Sequence, residues 1–124
     1  YRGYEFWHQS NVFKASIGEP GSSRVITSAA TNALSDGNWH HCLAVFNRAT
    51  TCQIYVDGST SGSTGDISAY VSTDISSTID LFIGSSENPD SYLDGSIDEV
   101  RIYNKALSTA EITKNWKHGL SKHS

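Results

Sequence analysis

Eight aspartates, five glutamates and five histidines supply most of the groups in this chain that could do chemistry. Two carboxylates on one strand face could share acid and nucleophile work at a glycosidic bond. Asp98 and Glu99 are adjacent, so on a strand they point to opposite faces and make no such pair. No serine stands in a nucleophile elbow. His40 and His41 are also consecutive, the wrong geometry for joint metal binding. The expectation is that one packs or hydrogen-bonds within the fold while the other lies at the surface. His8, His118 and His123 are isolated, the last two in a weakly basic tail with Lys114, Lys117 and Lys122 that reads as solvated.

Hard cations take several oxygens from carboxylates and carbonyls. Glu87, Asp90, Asp94 and Asp98 offer a local supply of such oxygens, which makes calcium the metal candidate. The competing reading is equally concrete: Asn88-Pro89-Asp90 makes a turn, and Asp94-Gly95 makes another. Sugar binding needs an exposed aromatic ring to stack on a pyranose face, with amides or carboxylates to read hydroxyls. Tyr92, Tyr70, Trp7 and Tyr1 are the candidate rings, with Asn88, Asp90 and Asp94 as hydroxyl readers. Trp39 and Trp116 are assigned to packing.

Short alternating runs separated by turn signals must position these groups. Strands are expected at 3–8, 12–17, 24–27, 39–46, 51–57, 79–83 and 92–104, with turns at 19–23, 35–38 and 47–50. Asp57-Gly58 is a tight-turn dipeptide, since glycine accepts positive φ. Residues 59–65 read as a hairpin return or a loop. Ser108-Thr-Ala-Glu111 is a capping box opening one helix, with Leu107, Ala110, Ile112 and Trp116 on its buried side. The pattern is that of an all-β sandwich with a short C-terminal helix.

Cys42 and Cys52 would sit on neighbouring strands, with Cys52 across from about Phe46 and Cys42 roughly 13 Å further along. A disulfide needs Cα atoms within about 7 Å, so two free, buried thiols are expected. The spacing is not that of a redox or zinc site.

Composition sets the bounds. The 124 residues suit one domain, and thirteen aromatics can fill its core. Serine and threonine number thirty, while charged residues make up only 18%, which excludes a coiled coil or a charged disordered tail. A net charge of −4 without a basic cluster argues against a nucleic-acid partner. No apolar run approaches the roughly 20 residues of a membrane-spanning helix, so membrane insertion is not expected.

Specific residues then carry a resemblance. Trp39-His40-His41 with the apolar run after it, and Gln53-Ile-Tyr-Val-Asp-Gly58, look like the paired-strand signature of laminin G-like domains. Leu81-Phe-Ile-Gly84, the run from Leu93-Asp-Gly-Ser-Ile-Asp-Glu-Val-Arg-Ile-Tyr-Asn to Lys-Ala-Leu-Ser108, and Glu111-Ile112 resemble their closing signature. The family belongs to the concanavalin A-like lectin/glucanase superfamily, which implies an antiparallel jelly-roll β-sandwich over residues 1–124. Cys42 stands where the family usually has valine. The resemblance also implies strands before the point where this chain opens: removed upstream, dispensed with in a compact variant, or supplied by another chain. Glucanases of the superfamily share a Glu-x-Asp-x-x-Glu strand, and none of Glu5, Glu19, Glu87, Glu99 or Glu111 stands in that pattern, so no catalytic residue is assigned.

Two functions are in view. The first is an extracellular recognition module that binds a glycan or glycoprotein surface through rim loops, with calcium as its candidate cofactor. The second is a structural domain of a surface, appendage or virion protein whose partners are neighbouring protein subunits. Both place the domain outside the cell or on a surface.

Overall fold

The computed structural model describes residues 3–18, 25–29, 34–86, 88 and 90–123. Tyr1, Arg24, the 19–23 turn, Glu87 and Pro89 lie outside them. The chain forms two antiparallel three-stranded sheets and one C-terminal helix, an all-β sandwich as expected. One sheet contains β1 (Gly3–Gln9), β2 (Val12–Gly18) and β3 (Val25–Ser28) in chain order. The other contains β4 (Cys42–Asn47), β5 (Thr51–Val56) and β6 (Ser59–Asp66), again in chain order. Residues 59–65 are thus a hairpin return.

Turn chemistry sets the registers. Ser10 and Asn11 adopt φ of 51° and 63° between the paired Gln9 and Val12, a two-residue turn with both centres left-handed. Asp57 and Gly58 do the same between Val56 and Ser59, at 49° and 78°. Phe46 faces Cys52 and Cys42 faces Val56, so both cysteines remain free. Burial pushes both thiols up to about 12.

The sheets meet where β2 and β3 lie over β5 and β6. Ala15 and Ile17 of β2 pack with Cys52 and Ile54 of β5, and Ala29, Ile67 and Tyr70 complete the cluster. Ile17, Ile54 and Ile67 are fully buried, each contributing roughly 1.5–3 kcal/mol. Arg48 reaches across to donate to the carbonyls of Tyr70 and Thr73, tying the β4–β5 turn to the short 3-10 segment Ser68–Tyr70.

The helix, α1 (Thr109–His123), is four turns long rather than short and runs through the tail read as solvated. Its capping box is formed: Glu111 N–H donates to Ser108 Oγ at 3.3 Å, and Ser108 N–H donates to Glu111 Oε2 at 2.9 Å. Leu107 and Ile112 are buried as expected, Trp116 is half-buried, and Ala110 is exposed.

Two strand expectations are corrected. Residues 79–83 and 92–104 are not strands. Among its described residues, the 71–108 stretch makes only the isolated bridge between Ser85 and Tyr92. Alternation can favour a strand, but it does not by itself make a ladder, and Glu99, at φ 53°, breaks the 92–104 run with a left-handed residue. Leu81, Ile83, Val100 and Ile102 are exposed as a result. A cleft of about 2360 Å3 opens between this stretch and the outer strands, with Tyr4 and Phe6 of β1 and Leu43 and Val45 of β4 among its lining residues.

Candidate functional site

The turn carrying Asn88, Asp90 and Tyr92 is built by local hydrogen bonds. Leu93 N–H donates to the Gly84 carbonyl at 2.8 Å and Ser86 N–H to the Ser91 carbonyl at 2.9 Å, closing its base. Ser91 N–H donates to the Asn88 carbonyl at 3.0 Å. The side chain of Ser86 accepts from Asn88 N–H at 3.1 Å, and that of Asn88 accepts from Asp90 N–H at 3.3 Å. Asn88 therefore spends its amide oxygen on the turn, as the turn reading expects. Asp90 is exposed, and Tyr92 is 72% exposed. An aromatic ring standing off a closed turn beside a carboxylate can stack on an apolar ligand face while the acid accepts hydroxyl hydrogen bonds.

The other candidate rings lie elsewhere in the fold. Tyr70 is 7% exposed and belongs to the core cluster, so its ring cannot serve as an open platform. Trp7 sits in β1 opposite Lys14 and is half-buried. Tyr1 lies outside the described residues.

The calcium set is not assembled by the described residues. Among them no group of three or more His, Cys, Asp or Glu side chains could hold a metal ion. Asp98 accepts Glu99 N–H at 2.7 Å and pairs with His123 Nε2 at 3.1 Å, and Asp94 is exposed. Glu87 lies outside the described residues.

The described glutamates have protein partners. Glu5 accepts from the buried Ser16 hydroxyl at 2.9 Å. Glu99 pairs with Lys122 and with Arg101, and the Lys122 hydrogen bond leads in holding its carboxyl below the ordinary range. Glu111 is held at about 2, first by Lys105 and then by the Ser108 N–H.

A second polar constellation surrounds the Trp39-His40-His41 segment. His40 contacts Asp57 at 2.7 Å and Asp36 at 3.0 Å, while His41 N–H donates to the other Asp57 oxygen at 3.0 Å. Both histidines are half-buried, so neither lies at the surface as one was expected to, and burial lowers the His41 pKa. Trp39, assigned above to packing, is 46% exposed and stacks on His123 with centroids 4.4 Å apart. The sequence offered adjacency for the two histidines but no signal for Asp36, which reaches His40 from four residues earlier on the same loop.

Two facing antiparallel sheets with a C-terminal helix form a β-sandwich. The chain belongs to the concanavalin A-like lectin/glucanases superfamily, matching its laminin G-like family model over residues 2–113. It is also similar to the crystal structure of an S-layer domain-containing protein (residues 221–444) from Clostridium thermocellum ATCC 27405, with TM-score 0.56 and 22% identity over 94% of this chain. This chain spans 64% of that chain's length. No curated protein matches it. Among the described residues, no helix is long and apolar enough to cross a membrane.

Proposed function

We propose that this chain is a non-catalytic recognition module of an extracellular or surface-exposed protein, and that the turn bearing Asp90 and Tyr92 contacts carbohydrate. The observation that carries this reading is the Tyr92 ring, 72% exposed on a turn held by backbone hydrogen bonds. A ring this open can stack on a sugar face without first displacing protein contacts. Membership of a superfamily described by its lectins and glucanases supports a glycan as the ligand class.

The test is a glycan-array screen of the chain with calcium and with chelator, repeated for Tyr92→Ala and Asp90→Ala. Binding to a defined sugar class, lost in both variants at unchanged Tm, is expected. A blank array on folded protein overturns the reading. Because the described carboxylates do not converge, chelator is expected to leave both binding and Tm unchanged. Loss in chelator would restore calcium to the site.

Assembly with neighbouring protein subunits is the second reading, favoured by a different observation. β1 and β4 each end their sheet with no further strand paired to them among the described residues, and both border the cleft. Unpaired edges beside exposed apolar side chains favour contact with another chain. Likeness to an S-layer domain-containing protein agrees with a surface assembly. This reading expects a concentration-dependent oligomer in light scattering, and a monomer at high concentration counts against it.

A further inference from the structure

His40 stands between two carboxylates that reach it from different parts of the fold. Its Nδ1 lies 2.7 Å from Asp57 Oδ2 in the β5–β6 turn, and its Nε2 lies 3.0 Å from Asp36 Oδ1 in the loop before β4. A neutral imidazole has one N–H, so it can donate to only one of these and must turn a lone pair toward the other. An imidazolium donates to both, and each bond is then charge-assisted. We infer that His40 is a protonation-dependent clasp, tying the 34–39 loop to the β5–β6 turn as a cation and releasing one of the two carboxylates when neutralised.

Both carboxylates have anchors besides His40. Asp57 accepts His41 N–H through its other oxygen, and its own backbone is left-handed at the turn. Asp36 accepts Asn38 N–H at 2.9 Å through the oxygen that faces His40. Hydrogen bonds from Asn38 lead in holding Asp36 down to about 2, so it stays ionised across the histidine range. The neighbouring titratable groups are few. Cys42 lies near the His40 carbonyl and its thiol stays protonated. His41 senses Asp57, Arg101 and Glu99. From α1, His123 stacks on Trp39 and pairs with Asp98.

Burial of His40 opposes its charge, but the hydrogen bonds to Asp57 and Asp36 outweigh it, and its pKa is raised from 6.5. The sign of the linkage follows. Stabilisation from the clasp is fully present below the unfolded value of 6.5 and is lost as pH rises through the higher folded value. The loop held in this way carries Trp39 and its stack on His123, so the clasp sets how firmly the loop is presented at this end of the molecule.

Site-resolved NMR titration of the His40 ring tests this in the wild-type chain and in Asp36→Asn, where the loss of an exposed carboxylate should not prevent folding. The wild-type midpoint is expected above that of free histidine, with the amides of residues 36–38 moving at the same pH and the midpoint falling in Asp36→Asn. A wild-type midpoint at or below that of free histidine overturns the clasp, as does a midpoint that Asp36→Asn leaves in place. Denaturant unfolding at about pH 5.5 and about pH 8.5, on either side of the histidine range, adds a second readout. His40→Gln is expected to lose more of its midpoint at the lower pH, and equal loss at both refutes the proposal.

Discussion

Replacing Gly58 with alanine strikes two features of the fold at once. Gly58 sits at φ 78° in the β5–β6 turn, a conformation that costs a residue with a side chain about 1 kcal/mol. A Cβ built there would lie 2.6 Å from Trp116 Cε3 and 3.1 Å from Cδ2, on the face of the ring. Carbon atoms in contact prefer about 3.5–4.0 Å, so the ring must retreat by about 1 Å. Forced overpacking typically costs about 1–3 kcal/mol, and Trp116, being half-buried, can yield part of the way toward solvent. The sum is about 2–3 kcal/mol, which for a domain of this size lowers Tm by roughly 6–15 °C. The assay is thermal and urea unfolding followed by far-UV circular dichroism. Repeating it in a Trp116→Ala background isolates the contact. With the ring gone, Gly58→Ala should cost only the backbone share of about 1 kcal/mol, leaving a coupling of about 1–2 kcal/mol between the two sites. Equal cost in both backgrounds would refute the argument that this turn is seated on the helix.

Three further outcomes follow from the same structure. Ser108→Ala should lose about 1 kcal/mol through the missing cap, read from the urea midpoint. Because the Glu111 carboxyl is depressed in the fold to about 2, its stabilisation is present above the ordinary value of 4.5 and fades as pH falls toward about 2. The urea midpoints of wild type and Glu111→Gln should therefore converge on acidification, and a gap that widens would contradict the assignment. With Cys42 and Cys52 raised to about 12 by burial, both thiols should resist iodoacetamide in the native state and react on unfolding. Mass spectrometry of the peptides reads this, and a disulfide-linked peptide or rapid native labelling of Cys52 would count against it.

The first two-thirds of the fold was legible because its signals are local. Asp57-Gly58 demanded a tight turn, and the strands around it fell into register with Phe46 opposite Cys52. Ser108 and Glu111 announced a helix start, but the short helix they suggested runs on through Gly119 to His123. Residues 79–83 and 92–104 were misread because period-two alternation reports which side chains would share a face, not whether the segment pairs with a neighbour. Glu99 at positive φ is invisible to pattern reasoning, since glutamate has no preference for that region. For the candidate site, sequence put Asn88 and Asp90 on one turn but opened a strand at Tyr92. It also included Tyr70, because residue type alone does not separate a platform tyrosine from a core one. Asp36 escaped notice because its role exists only once the loop folds back on His40.

Burial also bears on the choice between the two functions. The main core cluster lies between Ala15 and Tyr70, and burial resumes at Leu107 and Ile112, while Leu81, Ile83, Tyr92, Val100 and Ile102 between them stay exposed. Little of the stretch from 79 to 103 is therefore held by packing, and such stretches open locally at low cost and meet partners readily. Glycan recognition at Tyr92 needs one ring and its polar neighbours, so it should saturate independently of protein concentration. Assembly through the β1 and β4 edges needs strand edges and apolar area, so it should grow with concentration and be indifferent to the Tyr92 ring. If Tyr92→Ala removes sugar binding and leaves light scattering unchanged, the turn and the edges act separately and one domain can serve both roles. If the same substitution also disperses an oligomer, the ring belongs to the protein contact, and the carbohydrate reading loses the residue on which it stands.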